Sequence, residues 1–210
     1  PYGIDINGPL LVSLQDQAGL ANLTALNETQ FARLGASLRI PEPLRNHLRP
    51  MFLDYVDRDS LTQLNGAEQA DYDALGPANR NMLRPSEFLS ILGVRTAADP
   101  ARWRRVRRAL TVDHTVSTFN VNTAGPESLE IMFGMTEPRA ASVIRARETA
   151  PFTMFSDFIA VSGTTLGPDD EGLYTFPSGR VIYVIRDGRS PWVYQARLTV
   201  TPSGLEQPLW

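Results

Sequence analysis

The 210-residue chain has no cysteine and no lysine, and all twenty of its basic residues are arginine. Without cysteine there can be no disulfide framework, zinc ribbon or thiol nucleophile. Histidine is almost as scarce: His47 and His114 lie far apart in sequence and are poor material for a metal site or a proton relay. No apolar run approaches the ~20 residues a membrane span needs, and no signal peptide is visible. A glycine-rich phosphate loop is also missing, and Ser13, Ser37, Ser60 and Ser162 have no histidine at a recognisable spacing. Nothing in the sequence therefore asks for catalysis. A formal charge of −3 exerts no overall pull toward nucleic acid, so such binding would need a local patch.

What is present suits a globular protein. Hydrophobic residues make up 42% and charged residues 20%, enough to bury a real core at this length. The all-arginine usage reads first as nucleotide-composition bias and only second as selection for arginine chemistry. The chain starts at Pro1 rather than methionine, which is read as a processed or trimmed piece whose anchor has been removed.

Along the chain, "PLLVSLQDQAGLANLTAL" (9–26) predicts a strand, a turn and a continuation. From Asn27 the period becomes helical through Phe31, Leu34 and Leu38, then Leu44, Leu48, Phe52, Tyr55 and Val56, with Pro41 and Pro43 splitting the run into two helices. Residues 57–81 are rich in Asp, Asn and Gly and too long for a bare connection. A helix is predicted after Pro85 with Phe88, Leu89 and Leu92 inward, and another after Asp99 as N-cap and Pro100 at the first helical position. A short helix capped by Ser156 comes after the segment "FNVNTAGPESLEIMFGMTEPRAASVIRAR" (119–147). The remainder alternates apolar and polar residues around Asp187-Gly188, a hairpin signal that places Val181, Tyr183 and Ile185 on one side and separates Val193, Gln195, Arg197 and Thr199 from Tyr194, Ala196, Leu198 and Val200. The sum is an α+β protein, with helices inserted between the first strand and the rest of one antiparallel sheet.

The strongest chemical signal is the loop at Asp57. Asp57, Asp59 and Glu68 occupy places one, three and twelve of a twelve-residue window, the ends of an EF-hand ligand series, but Leu61 and Thr62 stand where a ligand and the obligatory glycine belong. The loop is no EF-hand. Asn65, Asp71, Asp73 and Asn79 add hard oxygen donors, and on spacing alone a calcium site and a solvated loop of caps and Asx-turns fit equally well. Asp169, Asp170 and Glu171 form a second acidic group that reads as a solvated turn.

Two segments suggest nucleic acid. In "RWRRVRR" (102–108), Trp103 and Val106 line up with Leu110 while Arg104, Arg105, Arg107 and Arg108 spread over the rest, as on a solvated helix face or one meeting an acidic partner. The 119–147 segment has the layout of a helix-hairpin-helix unit, whose DNA-binding forms carry a Gly-apolar-Gly hairpin. Here Gly134 and Met135 are followed by Thr136, Glu137 and Pro138, which block an amide, add negative charge and remove a donor. Leu129, Met132, Phe133, Ala140, Val143 and Ile144 accordingly read as packing positions.

Together these segments resemble the K-type minor pseudopilins of bacterial type II secretion, general secretion pathway protein K. The resemblance is carried in order by "VSLQDQAGLANLTAL", "YVDRDSLTQLNGAEQADY", "NRNMLRPSEFLSILGV" and the Asn-Val-Asn-Thr-Ala block of 120–124, over about residues 10–185. It departs at Tyr55, where the family has tryptophan, and at Thr24, where it has a second asparagine. The resemblance implies a pilin-like β-subdomain (1–27 and 168–210) carrying an inserted α-helical domain (28–167) with the helix-hairpin-helix-like unit at 119–160. It implies an N-terminal membrane helix, absent here, that anchors the protein in the inner membrane and then packs it into a periplasmic pseudopilus. It further implies a non-enzymatic subunit at the pseudopilus tip, with I-type and J-type minor pseudopilins as partners, a secreted substrate as a further candidate, and no nucleic acid. Finally, it implies calcium in the acidic loop, with Asp57, Asp59 and Glu68 as ligands and Asp71, Asp73 and Asn79 as helpers. The alternative is a nucleic-acid-binding protein similar to DNA-uptake receptors, which share the Asn-x-Asn-Thr-Ala lead; it would use Arg139, Arg145 and Arg147.

Overall fold

The computed structural model describes residues 2–5, 9–73, 76–165 and 177–200. Two strands open the chain, β1 (Tyr2–Asp5) and β2 (Pro9–Asp16), followed after a 3-10 turn by the two-residue β3 (Ala21–Asn22). Asn27 then caps α1 (Glu28–Ser37) through a reciprocal capping box with Gln30. Pro41 and Pro43 divide the next stretch into a single turn, α2 (Glu42–Arg45), and α3 (Leu48–Val56). Beyond the irregular stretch after α3 come α4 (Val94–Ala97), α5 (Pro100–Val106) and β4 (Leu110–Thr111), which pairs in parallel with β3. The helical run ends with α6 (Pro126–Phe133), α7 (Glu137–Thr149) and α8 (Phe155–Ser162). Finally β5 (Arg180–Asp187) and β6 (Val193–Thr199) form a hairpin.

The fold is α+β. Among the described residues, four antiparallel strands in the order β1-β2-β5-β6 form one sheet, and every helix lies between β2 and β5 in the chain. The hairpin turns at Asp187-Gly188, with Ser190 N–H donating to the Asp187 carbonyl. Register confirms the alternation: Val181, Tyr183 and Ile185 sit opposite Leu198, Ala196 and Tyr194, while Arg180, Ile182 and Val184 share the other face with Thr199, Arg197 and Gln195. Among the described residues no helix is long and apolar enough to cross a membrane.

Two apolar clusters stabilise the helical part. The larger joins α1, α3 and the turns around Phe88 and Val94 through Phe31, Leu34, Leu48 and Phe52. A smaller one gathers Leu129, Ala140, Val143 and Phe158 from α6 to α8, and Met132 packs against both. Met132, Phe133 and Ile144 are partly buried there, so all six apolar positions of the helical hairpin are used for packing.

Several local expectations change. The segment after Pro85 is a 3-10 helix (Pro85–Ser90), not an α-helix. With three residues per turn, Phe88 and Ile91 fall on one face, so Ile91 is buried while Leu92 turns out to solvent. The N-cap of α8 is Met154, and Ser156 lies inside the first turn. Thr136 does occupy the N-cap of α7, but its hydroxyl makes no capping bond. Asp99 caps α5 as expected, accepting from Ala101 and Arg102. That helix ends at Val106, so Leu110 reaches the core from β4 rather than from a helix face. The acidic group Asp169, Asp170 and Glu171 lies outside the described residues.

Candidate metal centre

The loop leaves α3 at Asp57, whose N–H still bonds the Leu53 carbonyl and so fixes the first carboxylate to the helix end. Asp59 accepts from Leu61 N–H in an Asx-turn, and Gln63 to Gly66 close a tight turn in which Asn65 takes a positive φ of 65°. The chain then reverses, and Ala67 and Glu68 enter the core edge. As a result one oxygen from each of Asp57, Asp59 and Glu68 lies within 4.8 Å of the others.

Two of these carboxylates carry an oxygen with no partner. Oδ1 of Asp57 and Oε1 of Glu68 are buried without a hydrogen bond among the described residues. The second oxygen of Glu68 accepts from Gln69 N–H, so Oε1 is the one left for a ligand. Buried carboxylate oxygens without a donor are costly, and a cation is the natural compensation. Burial, reinforced by the charges of Asp59, Asp54 and Glu68, pushes the Asp57 carboxyl above its ordinary value. Three carboxylates brought together in this way form a hard-oxygen set that could hold a hard cation.

Of the other expected helpers, Asp71 and Asp73 lie outside the three-oxygen group, and Asn79 closes the loop through its backbone. Asp71 accepts from Glu68 N–H through Oδ2, which holds the Glu68 backbone in place. Asp73 is exposed and outside the three-oxygen group. Asn79 has a φ of 48° and donates its N–H to the Tyr55 carbonyl, pinning the loop's exit to the end of α3.

A residue not singled out in the sequence organises the loop. Asp54 is fully buried and accepts from Gln63 N–H with both oxygens. A Cβ on Gly66 would overlap its Oδ2, so only glycine lets the loop close over it. The signal was available: three residues after Met51, Asp54 falls on the inward face of an apolar helix, where a carboxylate must have a dedicated partner.

The Asn-Val-Asn-Thr-Ala block has a structural role. Asn120 and Thr123 donate to Asp16 at the end of β2, and Asp16 also accepts from Ser178 just before β5. Asn122 exchanges two bonds with the Phe152 backbone. Arg147, one of the three arginines a DNA grip would use, points inward and donates to the carbonyls of Val121 and Ala124. Arg105 is held by Glu127. At the departure from the Asn-Leu-Asn pattern, Thr24 donates its hydroxyl to Asn22 Oδ1.

An antiparallel sheet interrupted by a helical insertion, with a three-carboxylate loop on that insertion, defines the α+β architecture of this chain. The family model described as type II secretion system (T2SS), protein K, matches residues 11–113. The chain is also 29% identical over 168 residues, 75% of its length, to type II secretion system protein K of Pseudomonas aeruginosa. It spans about half the length of that curated relative, 50%. In fold it is similar to a chain in the crystal structure of the GspK-GspI-GspJ complex from the enterotoxigenic Escherichia coli type 2 secretion system. The TM-score is 0.63 at 16% identity, covering 94% of this chain and 77% of that one. Residues 11–113 thus match the type II secretion system protein K family model, and the curated relative and the structural neighbour carry the same designation.

Proposed function

We propose that this chain is the periplasmic part of a non-enzymatic minor pseudopilin that caps the type II secretion pseudopilus together with I-type and J-type partners, and that it holds calcium at Asp57, Asp59 and Glu68. The observation that carries the reading is the three-carboxylate centre within a protein K segment. Support for the partners comes from the structural neighbour, which is itself part of a complex with I and J subunits. An apolar sheet face is compatible with the membrane helix that the resemblance implies: Val12, Leu14, Tyr183, Ile185 and Tyr194 stay half-buried or exposed on one side. Such a face can seat a long apolar helix. The nucleic-acid alternative gains no support, because Arg147 is used internally and the hairpin lacks its second glycine.

The test is reconstitution. The periplasmic domains of I-type and J-type subunits from the same source are mixed with it and followed by size-exclusion chromatography with light scattering. A single species containing all three chains is the expected result. Three independent peaks at micromolar concentrations would overturn the assignment.

A further inference from the structure

Where the C-terminal hairpin meets the helical part there is a cleft of about 270 Å³ that the proposed function does not use. Arg180, Arg197, Asp113, His114, Leu83 and Val112 are among the residues that line it. The two arginines come from neighbouring strands and share a face, because Arg180 pairs with Thr199 and Arg197 with Ile182. Like charges placed this way on a sheet repel each other. Neither guanidinium makes an ion pair or hydrogen bond among the described residues.

The nearby carboxylate is already occupied. Asp113 accepts from Gln17 through Oδ2 and from Thr115 through Oδ1. Its burial raises its pKa, but the Thr115 bonds and the charges of Arg180 and Arg197 outweigh that and hold it below the usual value. It therefore stays ionised and offsets only part of the positive charge. In the same lining Leu83 is 65% exposed among the described residues and offers an apolar surface. Two unpaired guanidiniums fit a carboxylate in bidentate geometry, and the leucine fits a neighbouring apolar side chain.

We propose that this cleft docks a segment of a protein partner in which acidic and apolar side chains alternate, the carboxylates seated between Arg180 and Arg197 and the apolar residue against Leu83. Charge complementarity selects that occupant, and the exposed leucine favours a peptide over a free anion.

The probe is a fluorescein-labelled hexapeptide of alternating glutamate and leucine, titrated by anisotropy at low ionic strength. Saturable binding is expected, weakened roughly tenfold by Arg180→Gln or Arg197→Gln and more than additively reduced by the pair. Arg104→Gln with Arg108→Gln, exposed arginines elsewhere, should leave it unchanged, and Leu83→Ala should weaken it several-fold. Thermal melts establish that each variant is folded; all of these sites except the partly buried Arg180 are exposed. Absence of saturable binding, equal loss in the Arg104 and Arg108 control, or displacement by free glutamate as effective as by unlabelled peptide would each overturn the proposal. The I and J subunits take no part in this experiment, so its outcome is separate from that of the reconstitution.

Discussion

Replacing Asp57 by asparagine is expected to shift stability in opposite directions depending on calcium. In the metal-free protein the three carboxylate oxygens lie within 4.8 Å of one another. Two unit charges at that distance repel by about 0.9 kcal/mol at the dielectric of water and about 3.5 kcal/mol at an effective value near 20. Asp59 is exposed and takes the low end, whereas Glu68 is 5% exposed and takes the higher. Asp57→Asn removes both repulsions but keeps the shape and the backbone bond to Leu53, so after solvent screening a gain of about 1 kcal/mol remains. For a chain of this size that is a rise of roughly 2 to 4 °C in Tm. Calcium at about a hundred times its Kd adds about 2.7 kcal/mol to the unsubstituted protein, or roughly 5 to 10 °C. In the variant that increment should largely vanish, because a neutral amide oxygen replaces a central carboxylate. Differential scanning fluorimetry in chelator and in millimolar calcium reads both effects. A variant that melts lower than the parent in chelator and still gains several degrees from calcium would refute the reasoning.

The same geometry has other consequences. Because the Asp57 carboxyl is held above its ordinary value, its contribution has the opposite sign to that of a typical carboxylate. Metal-free stability should fall as pH rises from the ordinary carboxylate value through the raised one, while the calcium increment should grow over the same interval; melting series with and without calcium check both slopes. Gly66→Ala, whose Cβ would overlap the Asp54 carboxylate, should cost roughly 1 to 3 kcal/mol in urea unfolding and weaken calcium binding by calorimetry. Asp16→Ala strands donors from Asn120 and Ser178 and should destabilise by roughly 2 to 4 kcal/mol, seen as a lower urea midpoint with an unchanged slope. Arg147→Ala leaves the Val121 and Ala124 carbonyls without its guanidinium and should cost roughly 2 to 3 kcal/mol, while electrophoretic mobility shift at low salt should detect no DNA binding before or after the change.

Elements written in local chemistry were legible in the chain itself. Asn27, Asp99 with Pro100, the prolines at 41 and 43, and Asp187-Gly188 each act within four residues, and each set a boundary where expected. The errors arose where local signals competed. After Pro85, Glu87 accepts from both Leu83 and Arg84, which tightens the turn to 3-10 geometry and exchanges Leu92 for Ile91 in the core. At α8 a serine in the first turn resembled a cap, but the helix begins one residue before it, at Phe155, without a side-chain cap.

The candidate site divides in the same way. Asp57 and Asp59 are neighbours on the chain, and Glu68 joins them because the turn at Asn65-Gly66 folds back over Asp54; of those parts only the carboxylates carry a recognisable spacing. Asp71 has oxygen chemistry indistinguishable in sequence from that of a ligand, yet one of its oxygens accepts from the Glu68 N–H, while Asn79 closes the loop through its backbone N–H. The Asn-Val-Asn-Thr-Ala block makes the point most sharply. Its side chains bond Asp16 more than a hundred residues earlier, and Asp16 in turn bonds Ser178, 162 residues beyond it. Each of those contacts closes a long loop, and that cost must be met by burial of the clusters on either side. The motif therefore works as the joint by which the inserted helices are fixed to the strands that enter and leave them. A joint of that kind leaves no periodic trace, and its residues read as a helix lead-in until both strand ends are seen to meet it.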